Sequence, residues 1–439
     1  MKLSTINPYN GEKLADYTEY DGTRIDQILK SVKNEQKEWK KSIDERINYL
    51  KFILRPNLVK SKEDLARLMS SEMGKPISQS LSEIDKCINL IDYSVQNYVQ
   101  YLEPEIVKTD GKKTYVRFDP IGTILLIMPW NFPLWQVMRA AVPAMLVGNT
   151  VVLKHASIVT GTSLMIEKIF DSSTFKSIVI SGSKVASLIQ KVDGISLTGS
   201  TAAGKSVAQE AGKHLKKVVL ELGGSDPFIV LKSANLDEAS EKAVFARMQN
   251  NGQSCIASKR FIVHEEVFDE FVRRISDNFS SIKIGDPLER DTFLGPLSSK
   301  EQTLTVSNQI RTLSGLGKVT EFGKVEGGII PPTIAQIKGE FDEEVFGPVA
   351  ILTKFKSNNE AVRLANNAPY GLGSSIWGSP EEAEEMAPNI DAGMVFVNKV
   401  VASDPRVPFG GIKQSGIGRE LSKFGLREFS NIKTVWIDH

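Results

Sequence analysis

Residues 122–128 read GTILLIM, and this unbroken apolar run decides the fold. A strand with apolar side chains on both faces is buried on both faces, which is typical of a parallel sheet covered by helices. Similar short runs recur, with helical segments between them, at Thr150 to Leu153, Ser177 to Ile180, Gly194 to Leu197 and Val218 to Leu220. Strands that alternate with helices predict βαβ units in a parallel sheet.

A second alternating region begins at Pro227 and predicts a second α/β domain. Its predicted strands are Phe228 to Leu231, Lys259 to Val263, Val349 to Phe355, Ser374 to Trp377 and Met394 to Asn398.

The sequence patterns near the two ends of the chain differ from the strand–helix alternation of the two α/β regions. From Ile25 to Leu54 and from Lys62 to Gln100, apolar residues recur at three- and four-residue steps, which predicts helices; Gly74 to Pro76 is the expected loop. Near the other end, Asn431 to Ile437 predicts a strand. Its expected partner is either a strand at Thr114 to Phe118 or a neighbouring subunit.

Composition argues against several classes of protein. The length of 439 residues suggests two or three domains. The 54 basic and 53 acidic residues nearly balance, which argues against a nucleic-acid-binding surface or a polybasic membrane-binding surface. The most apolar stretch, Ile121 to Leu134, is too short to cross a bilayer. With no signal-peptide pattern and only two cysteines, we expect a cytoplasmic protein. The four histidines lack metal-ligand spacing, so no metal is expected.

Cys255 is the candidate nucleophile. A lone cysteine is more often a small buried hydrophobe, and Cys87, inside an amphipathic helix, fits that interpretation. Cys255 instead lies in Gly-Gln-Ser-Cys, between a helix-like segment and the strand predicted at Lys259. This setting of small and polar residues favours a reactive thiol.

Two polar residues follow predicted strands, at the edge where α/β sheets bind ligands. Glu221 comes directly after Val218 to Leu220, and the alternative is a solvated strand-end carboxylate. Asn131, in PWNFP after the first strand, offers amide donors to a developing oxyanion, unless the motif is merely a rigid aromatic turn. Trp135 and Arg139 lie one and two helical turns further on, and Arg139 could bind a substrate carboxylate or form a salt bridge.

Residues 199–206, GSTAAGKS, match the P-loop pattern of nucleotide hydrolases. No convincing strand ending in Asp supplies the magnesium partner that such a hydrolase needs. Whether or not this segment is a P-loop, backbone N–H groups at a helix N-terminus form an anion site. We therefore expect a phosphate-bearing ligand near Ser200.

Taken together, these motifs resemble the aldehyde dehydrogenase superfamily over nearly the whole chain. The motifs that carry the resemblance occur in the family's order: PWNFP at 129–133, Lys154, Thr198 to Ser200, ELGG at 221–224, GQSC at 252–255, EVFGP at 344–348 and PFGG at 408–411. Residues 128–139, LKHAS at 153–157, residues 221–230 and Ala402 to Asp404 are most similar to bacterial and archaeal succinate-semialdehyde dehydrogenases.

The resemblance implies two Rossmann-like parallel-sheet domains and a small β arm for oligomerisation. Residues 1–104 and 120–225 are expected to form the dinucleotide-binding domain and 226–410 the catalytic domain. The arm and C-terminal segment would comprise 105–119 and 411–439, and we expect a homodimer or homotetramer.

The resemblance also implies roles for individual residues. Cys255 would attack the aldehyde, Asn131 would stabilise the oxyanion, and Glu221 would activate the water that hydrolyses the thioester. The residues expected to bind the cofactor are Trp130, Lys154, Ser157, Gly199, Ser200, Leu222, Glu344 and Phe346. Those expected to bind the substrate are Trp135, Arg139, Ser403 and Phe409, with Arg139 and Ser403 on the distal carboxylate of a semialdehyde.

Ser157 bears on the choice between NADP and NAD. Many NAD-preferring relatives have Glu at this place, and its charge would repel a 2′-phosphate. We therefore expect NADP to be preferred and NAD to be usable.

Four alternatives to a hydrolytic semialdehyde dehydrogenase stay open at this stage: another small or aliphatic aldehyde as substrate, the P-loop hydrolase, a CoA-acylating relative and a non-catalytic relative. Glu221 argues against the CoA-acylating enzymes, which generally lack this carboxylate. The intact set of Cys255, Glu221 and Asn131 argues against a non-catalytic role.

Overall fold

The computed structural model describes residues 2–438. The strands are β1 Lys2–Ile6, β2 Lys13–Thr18, β3 Glu105–Val107, β4 Lys113–Pro120, β5 Thr123–Met128, β6 Thr150–His155, β7 Phe175–Ser177, β8 Gly194–Thr198, β9 Lys217–Glu221, β10 Asp226–Val230, β11 Ser258–His264, β12 Gly317–Glu321, β13 Thr333–Ile337, β14 Val349–Phe355, β15 Tyr370–Gly371, β16 Gly373–Trp377, β17 Met394–Val397, β18 Ile412–Lys413, β19 Gly416–Ile417 and β20 Ser430–Ile437.

The α-helices lie before, between and after these strands. They are α1 Gly22–Trp39, α2 Ile43–Tyr49, α3 Arg55–Lys60, α4 Lys62–Met73, α5 Ile77–Asn97, α6 Trp135–Val147, α7 Thr160–Phe170, α8 Ala186–Ile189, α9 Thr201–Lys213, α10 Leu236–Met248, α11 Glu265–Ser280, α12 Lys300–Leu316, α13 Asn358–Asn366, α14 Pro380–Met386 and α15 Ser422–Glu428.

The first sheet has the order β19-β9-β8-β5-β6-β7 and is parallel except for β19, which runs antiparallel to β9 at one edge. The GTILLIM strand is central: Leu125 pairs with Val152 on one side and Ile195 on the other. Helix α6 is buried along its whole length and packs in the core on one face. The other face is covered by residues of α1 and α9. A strand buried on both faces is what the apolar run predicts.

The second sheet has the order β12-β13-β14-β11-β10-β16-β17. Only β12, at its edge, is antiparallel to its neighbour. Residues of α10 and α11 cover one face, and residues of α13 and α14 cover the other. The prediction of two α/β units with parallel sheets is confirmed.

A three-stranded sheet, β20-β4-β3, lies apart from these two. Strand β20 pairs antiparallel with β4, from Ser430 opposite Pro120 to Ile437 opposite Lys113. Of the two partners considered for the C-terminal strand, the structure therefore gives the Thr114 to Phe118 strand of the same chain.

One predicted strand had wrong bounds, and one hairpin was missed. The strand predicted at Ser177 to Ile180 is Phe175–Ser177; Ile178 and Ile180 belong to the same buried core cluster as Val185 and Leu188, so their apolar character reflects burial. The antiparallel hairpin β1–β2 was missed because most of its residues are exposed and show no apolar alternation. Within residues 2–438, no helix is both long and apolar enough to cross a membrane.

Candidate active site

A cavity of about 330 Å³ lies between α5, the start of α6, the chain around Cys255 and residues 400–409. Cys255 lines it together with Phe132, Trp135 and Arg139. The bulk share of one water molecule is about 30 Å³, so this space suits a short organic molecule rather than a large one.

The backbone before Cys255 makes an unusual turn. Asn250 and Asn251 adopt left-handed conformations, with φ of 55° and 58°, which asparagine tolerates better than most residues. Both side chains anchor the turn: Asn250 Nδ2 donates to the Asn131 carbonyl at 2.6 Å, and Asn251 Nδ2 donates to the carbonyls of Gly74 and Pro296 at 2.8 Å. The cysteine is therefore held at a fixed place beside the cavity.

Cys255 is partly exposed, whereas Cys87 is fully buried in the core, as its helical pattern predicted. Burial raises the pKa of the Cys255 thiol to about 12, while the positive charges of Arg139 and Lys259 act in the opposite direction. The thiol is therefore protonated at neutral pH, and its attack on an electrophile requires a group that accepts the proton.

Asn131 lies next to this turn and is 4% exposed. Its Nδ2 donates to the Gln253 carbonyl at 3.1 Å. A primary amide carries two N–H donors, so one of them is left for an oxyanion close to Cys255.

Glu221 ends β9 and is buried, and neither of its carboxyl oxygens has a hydrogen-bond partner within residues 2–438. Burial, followed by the nearby Glu420 carboxylate, raises the pKa of Glu221 well above its ordinary range; Arg139 acts in the opposite direction. An unpaired buried carboxyl is costly to stability and is typical of functional groups. It therefore holds a proton up to a higher pH than an exposed glutamate does.

Arg139, on α6, forms a buried ion pair with Glu420, and its guanidinium lies 4.3 Å from the centroid of the Phe409 ring. Ser403, 8% exposed, accepts a hydrogen bond from the Lys86 ammonium at 2.5 Å. That ammonium also lies 4.3 Å from the centroid of the Trp135 ring. The four residues predicted to bind substrate thus lie together on the cavity wall, with Lys86 among them.

The predicted cofactor residues follow the strand ends of the first sheet. Ser200 is the N-cap of α9, and its Oγ accepts from the Ala203 N–H at 3.3 Å. Lys154, the residue before the last of β6, is 7% exposed, and its ammonium has no hydrogen-bond or ion-pair partner within residues 2–438. Ser157 lies two residues after β6, and its carbonyl accepts from Thr160 Oγ1 at 2.8 Å. Its side chain has no hydrogen-bond partner within residues 2–438. A free cation and a helix N-terminus, which lie at the carboxyl ends of parallel strands in the same sheet, suit a phosphate-bearing ligand.

On the other side of this edge, Glu344 forms an ion pair with Lys259 at 3.1 Å and accepts from the Gly224 N–H at 3.2 Å. Phe346 packs edge-on against Trp130, with 5.7 Å between the ring centroids. Lys259 also donates to the Cys255 carbonyl at 2.7 Å. The acid and the aromatic pair predicted to contact the cofactor are therefore linked to the nucleophile's own backbone.

The P-loop interpretation of residues 199–206 is contradicted. Helix α9 begins at Thr201, so Gly204 to Ser206 are helical and do not form a phosphate-enclosing loop. Gly204 is needed for packing, since a Cβ there would collide with the side chain of Leu222. Leu222, 6% exposed, fixes the position of the helix below the predicted cofactor site.

Several residues of this site were not predicted from the sequence: Lys86, Glu420, Asn250, Arg247 and Lys259. Lys86 lies within an ordinary amphipathic helix, so its pattern carries no functional signal. Arg247 is fully buried and donates to the carbonyls of Gly252 and Val345. It joins the turn before Cys255 to the segment that carries Glu344. The one sequence feature that hinted at a role for Arg247 was its position as a charged residue inside a helix next to the GQSC motif.

Comparison with known proteins agrees with this geometry. The model of the aldehyde dehydrogenase family matches residues 1–435. A probable NADP-dependent succinate-semialdehyde dehydrogenase of Synechocystis is 40% identical, and a succinate-semialdehyde dehydrogenase [NADP(+)] 1 of Mycobacterium tuberculosis is 39% identical, each covering 100% of both chains. The crystal structure of a succinic semialdehyde dehydrogenase from Streptococcus pyogenes, in complex with NADP+, is 35% identical and covers 100% of both chains with a TM-score of 0.96. The chain belongs to the aldehyde dehydrogenase family.

Proposed function

We propose that this enzyme oxidises succinate semialdehyde to succinate, with NADP as the preferred cofactor and NAD as a usable one. The observation that carries the proposal is that one small cavity holds both the candidate nucleophile, Cys255, and a cationic end formed by Lys86 beside Ser403 and Arg139. An aldehyde with a carboxylate at its other end matches both features. Relatives that are 40% and 39% identical are named for the same substrate and cofactor.

The chemistry begins at Cys255. The thiol gives up its proton and its sulfur attacks the aldehyde carbon, which forms a thiohemiacetal. The second N–H of Asn131 donates to the oxyanion, and the hydrogen bond from Asn131 to Gln253 holds that amide in place. Burial raises the pKa of the Cys255 thiol, so its proton passes to solvent water as the carbon–sulfur bond forms.

The residues present suit a nicotinamide dinucleotide. The unpartnered Lys154 ammonium and the N-terminus of α9 suit hydroxyl and phosphate groups, while Glu344 and Phe346 lie nearer to Cys255. A bound nicotinamide would supply the hydride acceptor, and loss of hydride from the thiohemiacetal carbon leaves a thioester on Cys255. The roles of Trp130, Gly199 and Leu222 in this proposal are to shape the walls of the site.

Glu221 completes the reaction by hydrolysis. In its ionised form the buried carboxylate takes a proton from a water molecule as the water oxygen attacks the thioester carbon. The carbon–sulfur bond then breaks, which releases the carboxylic acid, and the Cys255 sulfur regains a proton. The pKa of Glu221 is raised by burial, so the group binds a proton near neutral pH more readily than an exposed glutamate.

NADP preference is assigned to Ser157. Its side chain carries no charge and has no recorded partner in the described chain, so it can donate to a 2′-phosphate. A carboxylate in its place would repel that phosphate.

We further propose a cytoplasmic homodimer or homotetramer assembled through the β20-β4-β3 sheet. This sheet carries several exposed apolar side chains, which a subunit contact would cover: Ile106 (71% exposed), Ile432 (62%), Trp436 (50%), Val107 (42%) and Ile437 (38%).

The proposal is tested by measuring kcat/KM of the purified enzyme, with the reaction rate monitored through the absorbance of the reduced nicotinamide. Succinate semialdehyde is compared with butanal, which has the same chain length without the carboxylate, and each is measured with NADP and with NAD. We expect succinate semialdehyde with NADP to give the highest value. A preference for butanal would reject the substrate, and a preference for NAD would reject the role of Ser157.

A further inference from the structure

We infer that Lys86 is the residue that selects a substrate with a distal carboxylate, by forming the ionic contact to that group inside the cavity that Cys255 also lines. This inference rests on the proposed function and refines it, because the sequence-based expectation assigned the ionic contact to Arg139.

The charge of Lys86 has no partner of opposite sign. Within residues 2–438 its recorded contacts are the Ser403 hydroxyl, at 2.5 Å, and the face of the Trp135 ring, at 4.3 Å. The carboxylates nearby are committed elsewhere, since Glu83 pairs with Lys75 and Asp404 pairs with Arg406. A partly buried ammonium without a carboxylate gains more from a bound anion than one that is already paired.

Arg139 differs in this respect. Its guanidinium is 2% exposed, forms an ion pair with Glu420 and lies against the face of Phe409. A substrate carboxylate would have to compete with Glu420 for that charge. Arg139 therefore makes the electrostatic potential of the cavity more positive. Lys86 carries a positive charge that no carboxylate of the described chain neutralises.

A neutral donor lies beside Lys86. The Ser403 hydroxyl, which accepts from Lys86, can donate its own hydrogen to an anion. A carboxylate has two oxygens that accept several hydrogen bonds, so it can satisfy the ammonium and the hydroxyl together.

The electrostatics of the cavity agree with this assignment. The pKa of Lys86 is lowered to about 8, first by burial and next by the charge of Arg139, while Cys87, Glu83 and Asp404 act in the opposite direction. Binding of an anion would reverse the effect and favour the charged form. The free enzyme should therefore lose affinity for the semialdehyde as the pH rises through about 8.

The test uses the Lys86→Met and Lys86→Arg variants, with Lys30→Met, an exposed lysine on α1, as a matched control. For each, the kcat/KM for succinate semialdehyde is divided by that for butanal. We expect Lys86→Met to lower this ratio by about 10- to 100-fold, mainly through KM, since a charge-assisted hydrogen bond is lost. Lys86→Arg should recover most of the ratio, and Lys30→Met should match the wild type.

The pH profile supplies a second measurement. For the wild type, kcat/KM for succinate semialdehyde should fall above pH 8 relative to that for butanal, and Lys86→Met should lack this relative fall. An unchanged ratio in Lys86→Met, or equal losses on both aldehydes, would overturn the assignment to Lys86. A wild-type enzyme that does not prefer the semialdehyde would instead reject the proposed function on which the inference rests.

Discussion

The Arg139 guanidinium and the Glu420 carboxylate form an ion pair inside the protein, with 2% and 5% of their side chains exposed. Glu420 in turn raises the pKa of Glu221, and Arg139 lowers it. One buried pair therefore joins the wall of the substrate cavity to the proposed base. Its removal should affect both the stability of the fold and the chemistry.

Replacement of Arg139 by Met should destabilise the protein by about 3–5 kcal/mol, because the Glu420 carboxylate would be left buried without its partner. The free energy of unfolding, measured by denaturant titration, checks this value. Lys86→Met should not share the loss, since Lys86 has no ion-pair partner in the described chain. Equal stabilities of the wild type and Arg139→Met would contradict the structural role of the pair.

Replacement of Glu221 by Gln should slow hydrolysis of the thioester more than its formation. The amide cannot accept a proton from water, so turnover should fall about 100-fold or more after an initial burst of reduced nicotinamide equal to the active sites. Stopped-flow absorbance measures the burst, and added hydroxylamine, which attacks thioesters without a base, should speed the slow phase. A variant with no burst and no response to hydroxylamine would show that Glu221 acts before the thioester forms.

The raised pKa of Cys255 predicts how alkylation depends on pH. With a pKa of about 12, the thiolate fraction rises about tenfold per pH unit, so inactivation by iodoacetamide should be about 100-fold faster at pH 9 than at pH 7. Mass spectrometry should place the label on Cys255 and not on the buried Cys87. A rate that levels off below pH 8 would mean that the free enzyme already holds a thiolate.

Replacement of Ser157 by Glu should shift the cofactor preference toward NAD. Repulsion between the new carboxylate and the 2′-phosphate should lower kcat/KM with NADP by about tenfold or more. The ratio of kcat/KM for the two cofactors checks this shift, and Ser157→Gln, of similar size but neutral, is the control. A similar change of this ratio in both variants would mean that the size of the side chain at position 157, and not its charge, sets the cofactor preference.

Much of the fold could be predicted from the sequence because the signals are local. The run at 122–128 is a strand buried on both faces, and the residue that follows each such strand falls at the ligand-binding edge of the sheet. The motifs after such strands gave Asn131 and Glu221 as candidates, and the GQSC motif gave Cys255. The exposed hairpin β1–β2 was missed because it buries little and shows no apolar period.

The polar partnerships of the site could not be predicted in the same way. Lys86 and Ser403 are 317 positions apart, and their contact exists only because α5 and residues 400–403 meet across the cavity. The pairing of Arg139 with Glu420 likewise depends on the loop after β19 returning to α6. Local patterns gave Arg139 as a possible carboxylate ligand but could not show that another residue of the chain already holds its charge.

The central claim is that Cys255 carries out the oxidation of an aldehyde. The most direct test is the rate of reduced-nicotinamide formation from succinate semialdehyde and NADP, for the wild type and for Cys255→Ala. We expect turnover by the wild type and a loss of at least about 1,000-fold in the variant, since removal of a nucleophile abolishes the covalent route. A variant that retains most of the rate, or a wild-type enzyme that turns over no aldehyde, would contradict the claim.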